Sequence, residues 1–525
     1  MTTDRNEFNR GMKRPRRFFA FILSVAAVLA LASASASAAE SYGPLSHAGR
    51  WITDSQGRVI IIHGVNVPAK LPPAYPSAIG FNNDDGAFLA KLGFDGARVT
   101  VERYAVEPSP GHFDPAYIDR IAGTVRMLAR HGILSLIDFH QDEYGPYFHD
   151  NGYPEWMTVT DGLPNDWTVG FPYQYLDNPA NMRAFDHLWA NDPGPDGKPL
   201  QDDDAAILAY AAKRLRNVPG VMGYEIINEP WPGSQWPSCI VAQGCPTLDA
   251  SLLGAYYERM IPALRAADPN HMIWYEPFST FNYGAETHVP LPSADPKIGF
   301  AFHDYNLCSE VGPMCNPVES DTTIISNALT YVAANGDALL ETEFSGTSDT
   351  MEEVQLYDQY MIPWLVWSYP TAIVKFVGTT PISYDKTGPG SGPSDSPDGK
   401  VPPPGHLLPP RGGNVDWNNV DILTRAYPRR TSGTPLSWYY DGPSRTFTMQ
   451  YSTARVDGTG SFPAGAVTEI VTPRRNYPRG YGVTVTGGRI VSAPGAAVLQ
   501  VAACGSASEV SLTVSPEHGI RGSCQ

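Results

Sequence analysis

The sequence predicts an α/β protein, a (β/α)8 barrel followed by a small antiparallel β-sandwich. Three observations carry that expectation. From about residue 47 to 430, short apolar runs alternate with helical patterns. Eight of those runs are nearly continuous in apolar residues, as parallel strands covered on both faces are. From about residue 431 the period drops to two, the mark of strands with one wet face.

The elements follow in order. "RVIIIHGVN" and "GFDGARVTV" are the first two strand candidates. A helix follows at "PAYIDRIAGTVRMLARHG", with Ile118, Ile121, Val125 and Leu128 on one face, Pro115 near its start and Gly132 closing it. The strand "ILSLIDFH", the helix "DDDAAILAYAAKRLRN" and the strand "VMGYEIINEP" come next. The helix "LDASLLGAYYERMIPALRAADP" precedes the strands "MIWYEP" and "GFAFHDYN". "TTIISNALTYVAANG" sets Ile325, Leu329 and Val332 on one stripe before "ALLETEF", and "WLVWSYP" is the eighth strand. An open doubly wound sheet is the competing architecture, but no Gly-rich phosphate loop follows any strand. The stretch Thr387 to Gly413 is dominated by Gly, Pro and Ser and reads as a long surface loop. "VDILTRAYP" reads as a closing helix. In the tail, "RTFTMQYS" and "EVSLTVSP" alternate, and "VTVTGGRIVS" reads as a hairpin with a Gly-Gly turn. The domain expectation is therefore a barrel at 47–430 and a sandwich at 431–525, after an export segment at 1–38.

That export segment has a basic start (Lys13, Arg14, Arg16, Arg17), an apolar run from Phe18 to Ala32, and a small-residue stretch ending near Ala38. The apolar run is shorter than the roughly 20 residues that span a bilayer, so a cleaved signal peptide and a secreted protein are expected. The six Cys fall into three close pairs, Cys239/Cys245, Cys308/Cys315 and Cys504/Cys524. In an exported chain these suggest disulfides, with nearness in sequence the one reason for that pairing. No Cys pair has zinc-ligand spacing with accompanying His, which counts against a metal site.

Hydrophobic residues make up 42% of the 525 and charged residues 17%, enough for a sizeable core. A net charge of −17 counts against nucleic acid or an anionic membrane surface as partner and fits a neutral substrate. No stable protein partner is implied.

Polar residues end the strands, which in a barrel is where chemistry sits. Counting by twos, Glu225, Ile227 and Glu229 share a face, with Glu229 nearest the rim. Glu341 and Glu343 likewise share a face, with Glu343 closer to the mouth. Strands four and seven face each other, so Glu229 and Glu343 would oppose across a cleft. Two opposed carboxyl groups are what glycoside hydrolysis needs: one protonates the leaving oxygen, and the other attacks the anomeric carbon or activates water. A lone strand-end glutamate is more readily a solvated rim residue or part of an ion pair. Here Arg98, His140, Asp142, Asn228, Glu276, His303, Tyr305 and Trp367 also stand at strand ends, and together they favour a site.

"NEP" ending strand four, "TEF" at strand seven, "HDY" at strand six and the Arg after strand two resemble glycoside hydrolase family 5, a retaining group. "DFHQDEYG", "GYPEWMTVTDGLP", "GYEIINEPWPG" and "SGTPLSWYYDGPSRTFTMQYST" are similar to the endoglycoceramidases, which cut between an oligosaccharide and ceramide. The resemblance implies Glu229 as acid/base and Glu343 as nucleophile. Asn228 would bond the sugar 2-hydroxyl, and Tyr305 and Arg98 would donate to Glu343. Lys70, His140 and Asp142 would grip the sugar, His303 would shape the site, and Trp367 and Trp189 would be aromatic platforms. Glu225 and Glu341 stay structural, and Glu276 is a third polar contact. The chain departs from the family where Ser345 follows "EF", a place Gly often takes. No cofactor is implied, because two carboxyl groups and water suffice.

The leaving group is not written in these motifs. Aromatic-rich loops, "YGPYFHDNGYPEW" and "WPGSQWPSCIVAQGC", suit an apolar slot beside the cleft and a glycosphingolipid presented in micelles or membranes. Polysaccharide hydrolases use aromatics too. A family 5 enzyme acting on a β-glucan or β-mannan, or removing one sugar from glycosylceramide, therefore stays open. So does a non-enzymatic carbohydrate binder, although a binder has no need of an acid pair.

Overall fold

The computed structural model describes residues 42–165, 172–290, 295–305, 321–344, 350–378, 405–517, 519–522 and 524. The export segment, the Cys308/Cys315 pair, Ser345 and the loop stretch 387–404 lie outside the described residues.

Eight parallel strands close into a barrel: β1 His63–Val67, β2 Gly96–Glu102, β3 Leu134–His140, β4 Val221–Glu225, β5 Met272–Tyr275, β6 Ile298–Asp304, β7 Ala338–Phe344 and β8 Trp364–Val366. Each pairs with the next, and β8 returns to β1. The eight runs marked in the sequence are these strands. They are buried along their whole length because helices cover the outside and side chains fill the inside. Trp274 fills much of the interior. A Cβ on Gly223 or Gly299 would lie within 3 Å of its indole, so both neighbours are glycine. The helix Pro115–Arg130 shows the outer layer's logic. Asp114 caps it by accepting from the N–H groups of Ala116 and Tyr117, Pro115 starts it, and its apolar stripe packs on the barrel.

The lower mouth is closed by the segment that precedes β1: Tyr42, Leu45, Ile52, Ile60 and Ile62 pack against Leu134, Met222 and Trp274 inside the barrel. Below it lie two sheets. One runs in the order Ser46–Ala48, Trp51–Thr53, Val59–Ile60, Tyr427–Thr431, Val467–Val471, Val498–Ala503, Gly488–Ile490. The other runs Thr434–Asp441, Thr446–Ser452, Glu509–Ser515, Gly482–Thr486, Ile520–Arg521, antiparallel except for its last pair. A core of Trp438, Phe447, Tyr451, Ile470, Val501 and Val510 lies between them, which makes a sandwich. The segment 46–60 thus belongs partly to this sheet, although the sequence pattern set it with the barrel. "VTVTGGRIVS" is not a hairpin. Gly482–Thr486 and Gly488–Ile490 lie in different sheets, and the chain crosses between them at Gly487 (φ +75°), where a Cβ would strike the Glu509 carbonyl. "VDILTRAYP" is helical only as far as Leu423, and its end becomes sheet. Disulfides join Cys239 to Cys245 and Cys504 to Cys524.

Candidate active site

Strand β4 stops at Glu225, and the chain then leaves the regular path. Ile226 and Ile227 both pack into the outer core, and Glu229 has φ +41°, a left-handed conformation for a non-glycine residue. Counting by twos therefore fails beyond Glu225. Hydrogen bonds hold the irregular stretch instead. Gln141 donates to the carbonyls of Asn228 and Glu229, both at 2.9 Å, and the Glu229 N–H donates to Glu276 at 2.9 Å. The Glu229 side chain still reaches the mouth, where Oε1 lies 2.7 Å from His303 Nδ1 and accepts from Asn282 at 2.8 Å.

Strand β7 departs from alternation as well. Glu341 pairs with Phe302 on β6, yet Glu343 pairs with His303, so one extra residue bulges between them. Glu341 stands level with Phe302 and Trp364, both in the shell between barrel and helices. Glu343 is turned inward. Their expected common face does not exist, and the bulge is what aims Glu343 into the barrel. Asn66 on β1 holds the bulge by donating to the Thr342 carbonyl at 2.8 Å.

Arg98 on β2 faces four carboxyl groups inside the barrel. Its guanidinium bonds Glu343 and Glu225, reaches Asn228 at 2.8 Å and Asp138 at 3.1 Å, and lies 3.4 Å from Glu276. Burial pushes the Glu343 carboxyl up, but His303, Arg98, His140 and Lys70 outweigh it and hold Glu343 below the usual carboxylate range. Tyr305 adds a hydrogen bond at 2.6 Å. Burial raises Glu225, and it raises Glu276 further with the help of Glu225. Glu343 and Asp138 are thus held low, whereas Glu225 and Glu276 are pushed up. Oxygens of Glu229 and Glu343 and a nitrogen of His303 fall within 4.8 Å of one another, as do atoms of Glu225, Glu276 and His303. Both groups could hold a cation by distance alone. Arg98 already supplies the positive charge to three of those four carboxyl groups, so the donor set does not call for a metal.

One side of the cleft is a charged wall. Lys70 bonds Asp142 at 2.5 Å, His140 bridges Asp138 at 2.6 Å and Asp142 at 3.3 Å, and Trp367 stacks on His140 with Lys70 4.4 Å from its ring. Burial and Lys70 push His140 down, but Asp138 and Asp142 prevail and leave it at about 9. Trp189 is not part of this group. It is 6% exposed, donates to the Trp231 carbonyl, and packs edge-on against Tyr256 and Phe278. Its position in the helix Pro179–Ala190 makes it backing for the loop after Glu229, not a platform. Gln141, Asn66 and Asn282 were not singled out in the sequence. Asn66 carried a signal, a polar residue inside an apolar strand, whereas Asn282 sits in a loop without pattern.

Glu229 and Glu343 present oxygens within 4.8 Å of each other across the barrel mouth, the short separation that a retaining glycoside hydrolase uses. Residues 54–372 match the family description "Cellulase (glycosyl hydrolase family 5)", and residues 425–514 match "Glycoside hydrolase family 5 C-terminal domain". The chain belongs to glycoside hydrolase family 5. It is 30% identical over 479 residues to Endoglycoceramidase I of Rhodococcus hoagii (strain 103S), covering 87% of this chain and 85% of that one. It is 24% identical to an endoglycoceramidase of Hydra vulgaris, covering 82% and 80%. Among solved structures it is similar to endo-glycoceramidase II from Rhodococcus sp. as a lactosyl-enzyme intermediate, with TM-score 0.64, 25% identity, and 89% and 99% of the chains covered.

Proposed function

We propose that this chain is a secreted endoglycoceramidase, a retaining β-glycosidase that cuts between the oligosaccharide and the ceramide of glycosphingolipids. The observation that carries the chemistry is the approach of Glu229 to Glu343 within 4.8 Å, with Arg98 and Tyr305 both donating to Glu343. Glu343 attacks the anomeric carbon while Glu229 passes its proton to the glycosidic oxygen. Ceramide leaves as the alcohol, and a glycosyl ester forms on Glu343. Glu229, now a carboxylate, takes a proton from water, which attacks the same carbon and frees both the sugar and Glu343 with retained configuration. Asn228 bonds the 2-hydroxyl, Lys70, His140 and Asp142 grip the sugar, Trp367 supports its face, and His303 orients Glu229.

Likeness to endoglycoceramidases over most of the chain supports the ceramide reading. Exposed apolar residues in the connections after β3 and β4 support it further: Tyr147, Tyr173 at the start of the helix Tyr173–Asp177, and Val241 are 39%, 43% and 45% exposed. Such residues suit a substrate presented in micelles or a lipid surface. Export is supported by the basic-then-apolar start and by the two disulfides. No described helix is long and apolar enough to cross a membrane.

The test is incubation with a ganglioside and with carboxymethyl cellulose. Intact oligosaccharide and ceramide are expected from the first and nothing from the second. Reducing sugar from cellulose alone would instead favour the β-glucan reading. Glu343→Gln should lower turnover by at least about 10³-fold while leaving the melting temperature near that of the parent, and retained turnover would refute the nucleophile assignment.

A further inference from the structure

Two side chains that follow β5 surround Glu229 without facing the sugar wall. Glu276, the first residue past β5, accepts the Glu229 N–H through Oε2 at 2.9 Å. Its Oε1 lies 3.4 Å from Arg98 Nη2 and 3.6 Å from His303 Nε2. Asn282, in the helical turn Ser279–Tyr283, donates its amide N–H to Glu229 Oε1 at 2.8 Å. The same turn is tied to the backbone after Glu229, because the Ser279 N–H donates to the Pro230 carbonyl at 2.9 Å. Both side chains are buried. The left-handed Glu229 is thus fixed at its backbone by one carboxyl group and at its side chain by one amide.

The two oxygens of Glu229 are consequently unequal. Oε1 lies 2.8 Å from an amide N–H that can only donate and 2.7 Å from His303 Nδ1, which donates in the tautomer that carries its proton there. An oxygen met by two donors is the better carbonyl or carboxylate oxygen and the worse hydroxyl. We propose that Glu276 and Asn282 are positioning residues that fix the orientation of Glu229, so that Oε1 accepts from Asn282 and His303 while Oε2 carries the transferable proton. In the forward step the Oε2–H bond breaks as the proton moves to the glycosidic oxygen and the bond from that oxygen to the anomeric carbon breaks. In the return step Oε2 takes the proton of water. This inference rests on the acid/base role given to Glu229 above.

Leaving-group dependence separates positioning of a general acid from general damage to the fold. An aliphatic alcohol needs a proton to leave, whereas a dinitrophenolate does not. The experiment measures kcat/KM for the full-length protein and for Asn282→Ala, Asn282→Asp and Glu276→Gln on an alkyl β-lactoside and on dinitrophenyl β-lactoside. Asn282→Ala should lose about 10- to 100-fold on the alkyl substrate and less than about threefold on the aryl one. Asn282→Asp should lose more, because an acceptor then faces Oε1. Glu276→Gln, which keeps an acceptor for the Glu229 N–H, should lose less than Asn282→Ala, with the same bias. If Asn282→Ala does not fold, Glu276→Gln and Asn282→Ser carry the comparison. Equal losses on both substrates, or none on the alkyl one, overturn the proposal. Glu229→Ala is the control. If it too lacks leaving-group dependence, the acid/base reading of Glu229 has failed, whereas a dependent Glu229→Ala beside an indifferent Asn282→Ala refutes the positioning claim alone.

Discussion

One guanidinium cannot neutralise the four carboxyl groups that face Arg98, so burial and the other nearby cations act with it in setting which of them is held low. The residues named from strand ends that meet around it were legible because a barrel places strand ends at one mouth. Trp189 was misread because a Trp on a helix carries no strand-end argument, and its ring is consumed by packing. His140 offers a test at this scale. Its pKa, 6.5 when unperturbed, stands at about 9 in the fold because Asp138 and Asp142 overcome burial and Lys70. A raised folded value means that protonated His140 stabilises in full below pH 6.5 and loses that contribution as pH rises through about 9. Urea unfolding of the parent and of His140→Gln should differ by an additional amount on the order of 3 kcal/mol near pH 6 that disappears above pH 9. A gap equal at both ends would show that no imidazolium is bound between the two aspartates.

At the scale of the element, the sequence gives strand positions well and side-chain direction badly. Alternation holds only while a strand stays regular, and both acid-bearing strands end irregularly, β4 by leaving the sheet and β7 by a bulge. Nothing in "ALLETEF" announces the extra residue. What fixes it is a distant side chain, Asn66, which donates to the carbonyls of Thr342 and Leu365 at 2.8 and 3.1 Å and accepts from Arg98 at 3.1 Å. Asn66→Ala should therefore act on two measurements at once. Leaving the buried Thr342 carbonyl and an Arg98 N–H unsatisfied should cost about 1–3 kcal/mol in chemical unfolding. Turnover should fall by more than tenfold as the bulge relaxes and Glu343 drifts, since small misplacements of reacting groups cost rate heavily. A destabilised variant with parental kcat would show that the bulge holds without Asn66.

Across the whole molecule, the composition and the change of period told a barrel from a sandwich but did not reveal that strands just before the barrel join a sheet of the sandwich. Strands of two or three residues, such as Val59–Ile60, give no periodic signal, so the clasp between the segment before β1 and the sandwich is unreadable in the sequence. Val59 and Ile60 pair with Thr431 and Arg430, and the His63 ring of β1 lies between Trp364 and Tyr427 at 4.2 and 3.8 Å. Asp358, on the barrel's last large helix, accepts from Arg425 at 2.6 Å and from Trp438 at 3.1 Å. These groups are buried, so removing the sandwich would leave a carboxyl without partners inside an apolar surface. Breaking a buried pair by deleting one partner costs about 3–5 kcal/mol, a large share of the roughly 5–15 kcal/mol that holds a domain together. The two parts should therefore unfold as one. Calorimetry of the full chain should give a single transition, Arg425→Ala should lower its midpoint without splitting it, and a chain ending at Thr424 should not fold. A fragment that folds and hydrolyses an aryl lactoside, or two resolved transitions in the full chain, would mean that the barrel stands alone and the clasp is ornamental.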